Sequence, residues 1–351
     1  MKITDVSAVY PKWRHTGAPG RWQRHFWQIV VRVETDVGVA GLGYGGGGSP
    51  GVAVVNTHLR ELLLGRRLDS VDDIRAAWDA LYAASIPYGR KGLAVMALSG
   101  VDLALWDMLG KAEGKPVNEL IGPRVRERVR AYASGHDTEW YAELGITAHK
   151  FSGRWEGDEP RYDDVVANAA LARRFLGTDA LVMIDAYMGW DAEVAIEMAR
   201  RLEEFDIYWF EDLLTPDELE AQAALRGEIK PVLVAGGEHE FTRHGFADIA
   251  RAGALGLWQP DVTWCGGITE GLRIVELAAE HGVPVVPHRG GEIWGLQLIV
   301  SSGCEDLAEW LRVGRDAPRD ELWLGEPEIE DGYLAPSDRP GFGVTLNEAM
   351  L

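Results

Sequence analysis

Three short apolar runs in the middle of the chain each close on an acid. Leu181-Val182-Met183-Ile184 precedes Asp185, Ile207-Tyr208-Trp209-Phe210 precedes Glu211, and Pro231-Val232-Leu233-Val234-Ala235-Gly236-Gly237 precedes Glu238. The runs are rich in β-branched and aromatic residues, and a helix-like stretch follows each acid. Short runs without polar alternation predict parallel strands buried on both faces, where only the last residue looks out at water. Three carboxylates would then converge at one end of a sheet. Bare carboxylates repel one another, so the arrangement asks for a cation, and a ring of hard oxygen ligands suits Mg²⁺.

The same texture continues on both sides. Beyond Val125, strand-like runs end near Tyr132, Lys150, Asp185, Glu211, Gly237, Gln259, Pro287 and Glu309, with amphipathic stretches such as 165–175, 192–205 and 269–281 between them. Eight strand–helix alternations predict an α/β fold, a TIM-type (β/α) barrel over 126–315, rather than an open sheet. Barrels of this kind place their chemistry at the C-terminal ends of strands, where these acids lie.

The first 125 residues read differently, as an α+β capping domain. Phe26 to Val33 and Val39 to Tyr44 form strand patterns around the turn Thr35-Asp36-Val37-Gly38, and two helical stretches follow. Gly92 to Asp107 is a strongly apolar helix, a pattern that predicts burial. Gly41-Leu42-Gly43-Tyr44-Gly45-Gly46 matches a GxGxxG dinucleotide pattern, but its strand is the second arm of a hairpin, not the first strand of a βαβ unit. Residues 316–351 lose the alternation and are too few for a core of their own. They are expected to pack back on the capping domain and complete it.

Composition narrows the setting. Two cysteines, Cys265 and Cys304, make no disulfide framework, and no basic-then-apolar leader opens the chain; a cytoplasmic protein is expected. A formal net charge of −20 argues against nucleic acid and anionic membranes as partners. An anionic substrate would need a locally cationic site, which a metal supplies.

Two more strand ends carry reactive groups. Asp261 follows Trp258-Gln259-Pro260, and His288 follows Val285-Val286-Pro287. Neighbouring strand ends would set a carboxylate beside an imidazole, the pairing that suits a general base. Glu309 closes the eighth run, and His239, directly after Glu238, could reach a substrate oxygen. Any one acid after a strand would ordinarily cap the next helix; acids in three consecutive units followed by Asp and His in the next two argue for a site.

This set resembles the enolase superfamily of the mandelate racemase type, and the resemblance runs through essentially the whole chain, including Val101-Asp102-Leu103-Ala104-Leu105-Trp106-Asp107. Gly237-Glu238-His239, the stretch from Gln259 to Gly267, and Pro340-Gly341-Phe342-Gly343-Val344 resemble the L-rhamnonate dehydratase family. The resemblance implies a (β/α)7β-type barrel in which Asp185, Glu211 and Glu238 bind Mg²⁺. It further implies that His288, oriented by Asp261, removes the proton α to a sugar-acid carboxylate, and that Glu309 faces the developing charge. Related racemases carry Lys-x-Lys on the second strand; here the run is Lys150-Phe151-Ser152, which lacks the second lysine. Dehydration to a 2-keto-3-deoxy sugar acid is therefore expected over racemisation. Lys150, with Arg14, Arg21, Trp22, Arg24, Tyr88 and Arg90 of the cap, is a candidate for contacting the substrate, a small-molecule sugar acid such as an L-rhamnonate-like aldonate. A homo-oligomer is expected. The alternatives are a racemase, epimerase or cycloisomerase of the same superfamily, a nucleotide-binding oxidoreductase, and a non-catalytic sugar-acid binder.

Overall fold

The structure is a computed structural model that describes residues 1–11, 22–155, 157, 159–317 and 322–351. Near the N-terminus, β1 (Ile3–Val9), the short α1 (Gln23–Phe26), β2 (Ile29–Thr35) and β3 (Ala40–Gly45) are followed by α2 (Gly48–Val54). The helix continues through a π-turn at Val55–Leu59 into α3 (Arg60–Leu63); α4 (Val71–Ser85), α5 (Leu93–Glu113) and α6 (Val117–Ile121) complete the region. The three strands form an antiparallel sheet in the order β1-β2-β3. Ser70 caps α4 by accepting from Asp73 N, while its hydroxyl donates to Asp73 Oδ2 at 2.8 Å.

The buried helix α5 explains the glycines of the GxGxxG stretch. A Cβ at Gly43 would stand 2.0 Å from the carbonyl oxygen of Gly100, and one at Gly41 would stand 2.0 Å from that of Ala104. The missing side chains let the helix backbone lie directly on β3. The stretch is thus a packing surface and not a phosphate loop, which removes the basis for a nucleotide site. α5 is long and apolar enough to cross a membrane, but it is largely buried inside the protein.

The alternating region runs β4 (Val129–Ser134), α7 (Thr138–Glu143), β5 (Ala148–Ser152), α8 (Tyr162–Leu176), β6 (Leu181–Asp185), α9 (Ala192–Arg201) and β7 (Ile207–Glu211). It continues through α10 (Leu219–Glu228), β8 (Leu233–Gly236), α11 (Thr242–Ala252), β9 (Leu257–Trp258), α12 (Gly267–His281), α13 (Ile293–Val300) and β10 (Ala308–Leu311). The strands form a parallel sheet in the order β10-β4-β5-β6-β7-β8-β9. The predicted seventh run is reduced to a bridge between Val285 and Trp258. Pro284 and Pro287 flank it, and without their N–H groups the ladder cannot extend. Glu305 N donates to Val285 O at 2.9 Å and ties this run to the stretch leading into β10.

One interior layer shows that all eight runs face a common axis. Tyr132, Ala148, Met183, Trp209, Ala235, Leu257, Val286 and Leu307, one from each run, form a single buried cluster.

The C-terminal segment holds β11 (Trp323–Leu324), β12 (Tyr333–Leu334) and β13 (Thr345–Leu346). It reaches both parts of the molecule: β12 pairs with β4, whereas Phe342 N donates to Asp107 Oδ1 of α5 at 2.9 Å, and Trp323 meets Tyr44 of β3 edge-on. A polar seam joins α5 to the start of α12. Asp102 accepts from the backbone and hydroxyl of Thr269, and Gly266 N donates to Ser99.

Candidate active site

Side chains on a strand alternate, so the residue two positions beyond each member of the interior cluster points into the same interior, one layer nearer the strands' C-terminal ends. Counting two forward gives Ser134, Lys150, Asp185, Glu211, Gly237, Gln259, His288 and Glu309. An apolar layer is thus roofed by a polar one. Strand period alone collects five of the residues singled out in the sequence, and it adds Ser134 and Gln259, which that reading missed.

The contacts within this layer are dense. Lys150 Nζ forms ion pairs with Glu211 Oε1 and, at 2.8 Å, with Glu309 Oε1. Glu211 Oε2 accepts from Gln259 Nε2 at 2.7 Å and from Trp209 Nε1 at 3.0 Å. Glu309 also accepts from the Ser134 hydroxyl and, at 2.8 Å, from Arg289 N. Asp185 lies opposite Glu211 in the parallel ladder, and its Oδ1 accepts from Tyr187 N at 2.8 Å. Glu238 stands one residue beyond Gly237, whose φ of 113° and contact with the Phe246 ring leave no room for a side chain.

His288 sits between acids. Its Nδ1 is 2.9 Å from Asp261 Oδ2, and its Nε2 is 3.2 Å from Glu238 Oε2 and 3.9 Å from Glu309 Oε2. Burial opposes a charge on the ring, but Glu238, then Asp261 and Glu309, outweigh it and hold the imidazole up at about 10. Because Glu238 exerts the strongest of these pulls, positive charge brought to Glu238 releases the ring toward its neutral, proton-accepting form. His239 lies 3.1 Å from Glu238 Oε1 and 3.6 Å from Asp212 Oδ2, with its ring stacked on Trp264.

The acids outnumber the fixed cations around them. Among the described residues, Asp185, Glu211, Asp212, Glu238, Asp261 and Glu309 gather around Lys150 and the rings of His239 and His288. Burial pushes Asp185 up to about 7, with Glu211 adding to the rise, and it drives Asp212 well above the carboxylate range. Among the described residues, Asp212 Oδ2 is buried with no hydrogen-bond partner. Buried carboxylates of this kind are stable together only with additional positive charge, and a hard oxygen donor set fits a divalent cation such as Mg²⁺. Ligand atoms of Asp212, Glu238 and His239 come within 4.8 Å of one another. This grouping overlaps the expected Asp185, Glu211 and Glu238 at Glu238 only, and Asp212 carried no signal in the sequence beyond following Glu211.

The predicted cap contacts fare unevenly. Arg14 and Arg21 lie outside the described residues. Arg24 is exposed on α1, and Tyr88 is half-exposed with its hydroxyl 2.7 Å from His58 Nδ1. Among the described residues, no hydrogen bond or ion pair joins either to the strand-end acids. The polar atom of Tyr88 is engaged by a neighbouring cap histidine. Lys150 is buried and shared between Glu211 and Glu309.

Comparison with known proteins places this geometry. Residues 134–350 match the model of the enolase C-terminal domain-like family, and residues 6–122 match that of the mandelate racemase / muconate lactonizing enzyme N-terminal domain. An L-rhamnonate dehydratase of Saccharopolyspora erythraea is 36% identical over 328 residues, covering 91% of this chain and 83% of the relative. Among solved structures, rhamnonate dehydratase from Gibberella zeae complexed with Mg superposes with a TM-score of 0.88 at 28% identity, covering 99% of this chain and 95% of that one. The 3,6-anhydro-D-galactonate cycloisomerase from Zobellia galactanivorans superposes with a TM-score of 0.86, also at 28% identity, covering 99% and 98%.

Proposed function

The chain belongs to the enolase superfamily, in its mandelate racemase / muconate lactonizing enzyme group, and from that premise we propose that it is a Mg²⁺-dependent sugar-acid dehydratase. Its substrate is an aldonate of the L-rhamnonate kind, and its product a 2-keto-3-deoxy sugar acid. The relatives named L-rhamnonate dehydratase support the substrate class.

The observation that carries dehydration is that, among the described residues of the site, one group, His288, is placed as a base with a carboxylate supporting its far nitrogen. His288 has Nε2 turned to the acid layer, with Asp261 behind it. Across the barrel, burial works against a charge on Lys150, yet Glu211 and Glu309 hold its pKa well above the usual range, so it stays protonated. At the second lysine position of the racemases stands Ser152, whose Oγ accepts from Arg154 N at 3.2 Å. Proton removal and return on opposite faces needs two bases, whereas elimination needs one.

Asp185, Glu211 and Glu238 would hold Mg²⁺, with Asp212 and His239 beside them. When bound there, the ion withdraws charge from the substrate carboxylate and stabilises the negative charge left when the adjacent carbon loses its proton. His288 Nε2 takes the C2 proton, and Asp261 stabilises the resulting imidazolium. The imidazolium then hands that proton to the departing 3-hydroxyl, which leaves as water. The enol left behind tautomerises to the 2-keto acid. Lys150, fixed by two carboxylates, presents a permanent positive charge to the substrate's anionic end.

The deciding assay incubates the protein and Mg²⁺ with a panel of aldonic and aldaric acids and measures 2-keto product. Turnover of an aldonate is expected. Solvent deuterium entering C2 of unreacted acid without any keto product would instead assign a racemase or epimerase.

A further inference from the structure

Asp261 is held from behind by a chain of hydrogen bonds that begins in the cap. Its Oδ1 accepts from Thr263 N and from Thr263 Oγ1, both at 2.7 Å, which leaves Oδ2 for His288 Nδ1. Behind Thr263 stands Gln28, one residue before β2. Its Nε2 lies 2.9 Å from Thr263 Oγ1 and its Oε1 lies 2.7 Å from Trp264 Nε1. Gln28, Thr263 and Asp261 are all buried, so water does not compete for these bonds.

Chemistry fixes the direction of every bond in the chain. An indole N–H only donates, so the amide of Gln28 must turn its oxygen to Trp264 and its nitrogen to Thr263. The Thr263 hydroxyl therefore accepts from Gln28 and directs its one hydrogen to Asp261. An ionised Asp261 can only accept, so His288 must carry its hydrogen on Nδ1. In the neutral ring that leaves the lone pair on Nε2, the nitrogen facing Glu238 and Glu309.

We infer that Gln28 is a positioning residue for the base: acting through Thr263, it sets the orientation of Asp261 and with it the tautomer of His288. One hydrogen-bond chain then links the cap to the readiness of the base. This rests on the reading of His288 as the base. A Gln28 that served only as a satisfied core amide would affect stability and leave His288 unchanged.

The test compares Gln28→Glu and Gln28→Leu in the full-length protein with Mg²⁺. Gln28→Glu keeps the size of the side chain and the acceptor for Trp264 but removes the donor to Thr263, so it remains informative if Gln28→Leu does not fold. The first readout is the downfield ¹H NMR resonance of the carboxylate-bound Nδ1–H of His288, identified by its absence from His288→Asn. It should shift upfield or broaden in both variants, and a resonance that stays in place overturns the inference whatever the kinetics. The second readout is turnover: kcat should fall about tenfold or more with KM changed by less than about threefold, the scale of losing an outer-shell hydrogen bond. Adding Thr263→Val to Gln28→Glu should cause no further loss, and additive losses would overturn the shared chain. If the wild type turns over no aldonate, the reaction assignment fails, and the resonance alone still decides the role of Gln28.

Discussion

Replacing His288 with Asn removes the proton-accepting Nε2 while leaving a polar group between Asp261 and Glu238. Turnover is expected to fall by about 10²- to 10⁴-fold, the usual contribution of a positioned base, while titration calorimetry still detects Mg²⁺ and aldonate binding. A variant with near-wild-type rate would remove His288 from the reaction. Asp102, away from the strand-end acids, supplies a pH prediction. Burial pushes its carboxyl up to about 7, although two hydrogen bonds from Thr269 favour the ionised form. In the unfolded chain this acid ionises in the ordinary carboxyl range. Between that range and about 7 the folded state binds the more protons, so this residue makes stability fall as pH rises through the window. Asp102→Asn should therefore flatten the pH dependence of the urea midpoint from about pH 4 to about pH 7; an unchanged slope in the variant would refute the assignment.

At the scale of elements, the contact between β3 and α5 depends on backbone touching backbone. An alanine at Gly43 would place its methyl 2.0 Å from the Gly100 carbonyl oxygen, with no flexible side chain to give way. Gly43→Ala should cost about 3 kcal/mol or more in urea unfolding, at the upper end of overpacking effects. A loss below about 1 kcal/mol would show that helix and strand can separate without penalty. The same glycines show where local reading stops. GxGxxG is a local string, whereas the carbonyls it accommodates belong to a helix more than fifty residues away. The barrel runs were legible because burial on both faces leaves a continuous apolar signature. The seventh was legible as a run but not as a bridge, because the flanking prolines matter only once neighbouring strands compete for the same N–H positions.

At the scale of the molecule, the excess of buried carboxylates predicts linkage between metal and fold. Removing divalent ions with a chelator should abolish turnover and lower Tm, and Mg²⁺ should restore both, with Tm rising as its concentration rises beyond the dissociation constant. A Tm indifferent to Mg²⁺ while activity returns would place the ion outside this buried layer. The sequence by itself determined the strand period, the order of the runs and the acids that close them. It could do so because a residue's place in a buried strand is decided by its immediate neighbours. It also marked Asp261 and His288, since adjacent runs in a barrel bring their ends together. Only the tertiary structure decided what depends on distant parts of the chain meeting. Lys150 settles between Glu211 and Glu309. Tyr88 turns to His58. Gln28 reaches Thr263 and Trp264 across more than two hundred residues. Such contacts carry no local period, because burial selects the partner of a polar group only after the chain has folded around it.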